Sequence, residues 1–216
     1  MQKEFINELI KQANNGVEKA QMTLAELYFK GIDGKVDYNE SIKYLKMASK
    51  TNQYAVLQIA NMYDNGIGVL PNNKESFKIL KDAADKQSNP IAMVQVGRRL
   101  IDGFGVDKNY EEGIDYLIKA DELKNQEAPY LLGYYYQQDN KLEEARTYYL
   151  KAIDYKHPQS AYNLGFMYYN GAFGEQDLIE ALKYFRIALN LGLPIKDLVE
   201  KVEKEIPYNL SYTQVL

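Results

Sequence analysis

The side chains with the most chemical potential in this sequence are few, and their spacing argues against catalysis. His157 is the only histidine among 216 residues, and cysteine is absent. A zinc site, or a Cys–His or Ser–His nucleophile pair, therefore cannot be assembled in the familiar ways. His157 stands before Pro158 in a turn, where an exposed, inactive ring is expected. Carboxylates recur as the Glu of Asp37-x-x-Glu40, Asn72-x-x-Glu75, Asn109-x-x-Glu112 and Asp177-x-x-Glu180, with an Asp or Asn three residues before each. Each opens an apolar-periodic segment, so each reads as a capping box rather than an acid–base pair. The Asp or Asn accepts from orphan backbone N–H groups, and the Glu reaches back to the cap. Asn140-x-x-Glu143 reads the same way, one residue earlier. Gly66-Ile-Gly68 and Gly103-Phe-Gly105 lack the Gly-Lys-Ser/Thr and the preceding strand of a phosphate loop. No catalytic residue, metal site or cofactor is expected.

The elements that carry these caps are stated most fully in the stretch 160–192. Ala161, Leu164, Gly165 and Tyr168 fall at helical spacing, as do Ala181, Leu182, Phe185 and Ala188 beyond a glycine-containing loop. The unit recurs along the chain. Its anchor is a small residue four positions before a Leu or its stand-in: Ala20, Ala55, Ala92, Ala128 and Ser160, at spacings of 35, 37, 36 and 32 residues. Four residues beyond each Leu position come Tyr28, Tyr63, Leu100, Tyr136 and Tyr168. Gly31, Gly66, Gly103 and Gly171 then end the first helices, where a left-handed residue is needed, with Asp139 the exception. Gly97, Gly133 and Gly165 lie inside first helices, where Gly costs ~1 kcal/mol against Ala and so marks a close approach of the partner helix. Such self-similarity marks a repeat array.

The stretches AVLQIANMYDNGIGV at 55–69 and AMVQVGRRLIDGFGV at 92–106 resemble the Sel1-like repeat, and the fourth unit, with its shorter loop, resembles a plain tetratricopeptide repeat. The resemblance implies an all-α fold, a right-handed α-α superhelix of five helix pairs. Repeats fall near 17–50, 52–85, 89–122, 125–154 and 157–190. An N-terminal capping helix is expected at 3–13, a C-terminal helix at 194–206 and a tail at 207–216. One solenoid domain, 1–206, accommodates this length because stacking needs no second core.

Composition sets limits that agree. The hydrophobic fraction of 46% suits a globular chain, and 20 tyrosines suit helix pairs whose spaces are filled by rings with a wet end. A formal net charge of −4 provides no basic footprint for phosphates, which weighs against a nucleic-acid binder, including one built from pentatricopeptide-like repeats. No segment approaches the ~20 apolar residues of a membrane span, and the first residues lack a signal-peptide pattern. A cytoplasmic protein without membrane contact is expected, monomeric, with a homodimer as the alternative.

Function then falls to a surface. In the resembled families the first helices line a concave groove, through positions that share one helical face. These correspond here to Met22, Glu26 and Phe29; Leu57, Asn61 and Asp64; Val94, Arg98 and Ile101; Tyr130, Tyr134 and Gln137; and Tyr162, Phe166 and Tyr169. The C-terminal half of this set is aromatic, as in sites that anchor a peptide or helix by apolar side chains. The resemblance implies a non-enzymatic module that binds another protein or peptide, an adaptor or scaffold in a bacterial cytosol. The alternative is an immunity protein that neutralises a toxin or secreted effector.

Overall fold

The structure, a computed structural model, describes residues 2–207, so all but the first residue of the tail expected at 207–216 lies outside the described residues. Twelve helices account for the described fold: α1 Gln2–Asn14, α2 Glu18–Lys30, α3 Tyr38–Ala48, α4 Gln53–Asn65, α5 Asn73–Gln87, α6 Pro90–Asp102, α7 Tyr110–Glu122, α8 Ala128–Gln138, α9 Leu142–Asp154, α10 Pro158–Tyr169, α11 Leu178–Asn190 and α12 Lys196–Glu205. Among the described residues there is no strand, only an isolated bridge between Ile32 and Lys35. The five expected helix pairs are α2–α3, α4–α5, α6–α7, α8–α9 and α10–α11, with α1 against α2 and α12 against α11.

The chain divides into two compact units, Met1–Leu123 and Lys124–Leu216. In the first, Ala13, Leu24, Leu45, Ile59 and Met62 belong to one buried cluster. In the second, Tyr149, Leu164 and Met167 form one cluster, and Leu182, Phe185, Val199 and Val202 another.

Small residues are matched in pairs across the first three helix hairpins. Ser41 Oγ donates to the Ala25 carbonyl at 2.8 Å, and Ser76 Oγ to that of Ala60 at 2.9 Å, so each buried hydroxyl is satisfied by a backbone acceptor. Where the first helix carries Gly97, the second carries Gly113, and a Cβ on either would lie within 2.8 Å of the other's carbonyl oxygen. Gly133 and Gly165 instead make room for the rings of Tyr149 and Phe185. The internal glycines therefore do mark close approach. A Cβ at Gly165 would lie 2.7 Å from the Phe185 ring, itself fully buried. Gly165→Leu is expected to destabilise by roughly 1–3 kcal/mol through overpacking, read as a lowered urea midpoint at constant slope; an unchanged midpoint would show the crossing is slack.

Each loop between paired helices closes with the same backbone bond. The N–H of Asp37, Asn72, Asn109, Lys141 and Asp177 donates to the carbonyl of Tyr28, Tyr63, Leu100, Tyr136 and Tyr168 respectively, at 2.8–3.0 Å. Asp37, Asn72, Asn109 and Asp177 cap α3, α5, α7 and α11 as their spacing predicts, each accepting from the N–H of the Glu three residues on. The reciprocal half of the expected box is not used, because the cap N–H is already taken by the loop-closing bond. Glu40 and Glu180 turn to Lys43 and Lys183 instead. The expected cap at Asn140 is also corrected. Asn140 sits at φ 57°, finishing the short turn after α8, and Lys141 takes the cap position of α9 without a side-chain bond. Gly66 and Gly103 end their helices left-handed, whereas Gly31 has positive φ with extended ψ and Asn170 takes the cap position before Gly171.

Two loop glycines also seat one repeat on the previous one. A Cβ on Gly68 would fall into the Tyr38 side chain at the start of α3, and one on Gly105 would fall on the Asn73 carbonyl at the start of α5.

Candidate functional site

In the first unit the structure gathers Met22, Glu26 and Phe29 of α2 with Asn61 of α4 around a cavity of about 380 Å³. Ala25, Leu45 and Met62 supply apolar lining, with Thr23, Ser41 and Gln58 as polar members. Four of the residues expected to face a groove thus share one concavity. Phe29 is 40% exposed and rests edge-on against Tyr38, 5.5 Å between centroids. Glu26 pairs with Lys30 one turn along at 2.5 Å, and Asn61 accepts from Asn65 at 2.6 Å.

The other expected residues of this unit are placed differently. Asp64 of α4 is bound by the guanidinium of Arg99 on α6, which donates to both carboxylate oxygens, to Ser76 Oγ at 3.1 Å, and lies over the Phe104 ring at 5.0 Å. The two side chains are only 15% and 11% exposed. Asp64 is therefore committed to holding neighbouring first helices together. Arg98, one residue earlier, is exposed. Ile101 packs over Gly113, and Val94 is buried in the core.

In the second unit Tyr130, Tyr134, Tyr162, Phe166 and Tyr169 are the aromatic residues the spacing selects. They do not form one uniform face. Tyr134 is 40% exposed and makes edge contact with Tyr135. Tyr130 stacks on the His157 ring, centroids 4.3 Å apart. Phe166 lies 5.0 Å from the buried Phe185 ring, and Tyr162 and Tyr169 also reach that ring. Tyr169 donates to Glu205 on α12 at 2.9 Å. Gln137 accepts from Tyr149, whose hydroxyl in turn accepts from Asn163. Burial raises the Tyr149 pKa, keeping the phenol protonated as a donor.

Spacing alone missed the caps of the first helices. Asn52 and Asn89 accept from the amides of Ala55 and Ala92, and Asn125 from that of Ala128. His157 accepts from Ser160 in the same position, three residues before the anchor. The ring expected to be exposed is instead half-buried, and burial lowers its pKa. The recurrence of Asn three residues before a small anchor was the available signal. Asn89 also donates to the Gln53 carbonyl at 3.1 Å, and Asn52 to Glu18 at 3.0 Å, tying successive first helices at their starts.

Among the described residues no group of three or more acidic, His or Cys side chains could hold a metal ion, and no helix is long and apolar enough to cross a membrane. Paired helices presenting ring and amide side chains around an open cavity define a helical-repeat scaffold. The chain belongs to the Sel1 repeat family, which matches residues 18–50, 53–88, 90–124, 126–154 and 158–193. Sel1 repeat proteins are in general protein-interaction modules and non-catalytic.

Among solved structures, a protective antigen present in uropathogenic Escherichia coli strains, displaying an SLR fold, is similar at TM-score 0.72 and 20% identity. That match covers 87% of this chain and 41% of the other, so the chain spans well under half the antigen's length. A Sel1 repeat protein from Oxalobacter formigenes matches at TM-score 0.66 and 23% identity, covering 81% of this chain and 71% of that one. An immunity protein from Pseudomonas aeruginosa matches at TM-score 0.54 and 18% identity, covering 98% and 80%. At these identities the likeness is one of fold. No curated protein matches the chain.

Proposed function

We propose that the chain is an adaptor or scaffold of a bacterial cytosol that binds a protein or peptide on the open faces of its first helices. The observation that carries this reading is the cavity of the first unit, where Met22, Glu26, Phe29 and Asn61 surround an apolar interior with polar groups. Such a mixture suits an apolar side chain entering beside hydrogen-bonding backbone. The exposed Tyr134 ring offers a second anchor in the second unit, rigid and amphipathic.

The test is titration calorimetry against a partner recovered by affinity capture. Phe29→Ala and Tyr134→Ala are each expected to weaken binding by ~2 kcal/mol, about 30-fold, with helical circular dichroism unchanged. Phe166→Ala is the contrasting variant, since its ring packs on Phe185 and its loss costs stability as well. If both exposed-ring variants bind normally, the partner uses another surface. An immunity protein occluding a toxin or secreted effector is the second reading, favoured by the similarity to the P. aeruginosa immunity protein along nearly all of this chain. A captured partner with toxic activity that the chain abolishes would select it.

A further inference from the structure

Four first helices have the amide of their small anchor residue bonded by the side chain three residues earlier, and in three of them that side chain is an asparagine. Asn52, Asn89 and Asn125 accept through a carbonyl oxygen that holds no proton over the physiological range. In α10 the same place is held by His157, whose Nδ1 accepts from the Ser160 amide at 3.3 Å and lies 3.0 Å from Ser160 Oγ. Ser160 is fully buried and anchors the helix. While this ring edge meets Ser160, the face of the imidazole stacks on Tyr130 of α8. One titratable ring thus joins the start of α10 to a ring that the family resemblance assigns to the proposed interaction face.

We propose that His157 is an acid-sensitive latch on the start of α10, closed when its Nδ1 is unprotonated and accepting from Ser160, and released when a proton on Nδ1 removes that acceptor. With Nδ1 as acceptor, the neutral ring carries its proton on Nε2. A second proton on Nδ1 would face the Ser160 N–H donor to donor, and would set a cation at the positive end of the α10 dipole. The Ser160 hydroxyl can rotate to accept from the new N–H, and the Tyr130 ring attracts a cation, so both oppose release. Burial acts in the same direction as the donor–donor clash and the helix dipole, disfavouring the charged ring and pushing the imidazole pKa below its ordinary 6.5. Tyr130 from α8 faces the ring and Tyr149 from α9 lies beyond it, their centroids 6.5 Å apart; burial raises the Tyr149 pKa and keeps it neutral. Asp154 and Lys156, on the approach from α9, are exposed, and burial is the cause of the lowered imidazole pKa. With the folded pKa below the unfolded one, the latch's contribution is complete above about 6.5 and is lost as pH falls through the folded pKa.

Because the chain has one histidine, a single imidazole Hε1 resonance reports the latch. In an NMR titration of the full chain between about pH 7.5 and about pH 5, the expected midpoint lies below 6.5. The Ser160 amide and the Tyr130 ring signals should shift with that same midpoint. In His157→Asn, which restores the cap used in the other repeats, those two signals should lose that transition. An imidazole midpoint at or above 6.5 would overturn the proposal. So would Ser160 and Tyr130 signals that stay still while the imidazole titrates, or the same transition persisting in His157→Asn. The native titration decides the question by itself if that variant fails to fold.

Discussion

Replacing Gly105 by alanine is expected to destabilise the first unit by about 3 kcal/mol, among the larger effects a single methyl group can have. Two costs coincide at this position. Gly105 has φ +72°, where an L side chain costs roughly 1–2 kcal/mol. Its Cβ would also meet the Asn73 carbonyl, a backbone group that cannot turn aside, and forced overpacking costs roughly 1–3 kcal/mol more. Gly34 separates the two. It has φ +74° but nothing within 4 Å of a built Cβ, so Gly34→Ala bears the conformational cost alone. Urea titrations of both variants should show a midpoint loss for Gly105→Ala about twice that for Gly34→Ala or more. Equal losses would mean that the loop does not press on α5.

The second large effect is expected at Asp64 and Arg99. Removing one member of a buried ion pair costs roughly 3–5 kcal/mol, because the survivor keeps its charge without its partner. With 15% and 11% of the side chains exposed, the lower end applies, and Asp64→Ala or Arg99→Met should each cost about 3 kcal/mol. The double variant Asp64→Ala/Arg99→Met removes both charges and should cost clearly less than the sum of the singles. A coupling near zero in that cycle would show that the pair is a solvated contact. In that case Asp64 would return to the set of residues available to a partner.

The same pair shows what was legible in the sequence. The repeat length, the helix pairs, the small-residue anchors and four of the second-helix caps were readable, because each rests on local spacing that a helix imposes. Met22, Glu26, Phe29 and Asn61 come together as their shared face implies. Asp64 stands at an equivalent position, yet is bound by Arg99. Spacing specifies which way a residue points, but not which neighbouring charge reaches it across 35 residues of chain. Phe166 shows the same limit in an apolar setting, since its ring packs edge-on against the Phe185 side chain of the following helix. His157 went unread for a different reason. Asn and His look unlike as letters, but each offers an sp² acceptor at the length a helix start requires. The cap at Asn140 was misplaced because a shortened turn needed a left-handed residue there, and Asn tolerates that conformation.

The ties between first helices have a consequence for how the chain is made. Asn52 reaches Glu18, Asn89 reaches Gln53, Arg99 reaches Asp64, and the loops at Gly68 and Gly105 settle on Tyr38 and Asn73. Each of these ties points back to the repeat just completed, and none waits for a distant part of the chain. During synthesis, every emerging helix pair in the first unit therefore finds its docking partner already finished. Vectorial growth of this kind never leaves more than one raw helix face open at the growing end, and it keeps the loop-closure cost low at every step.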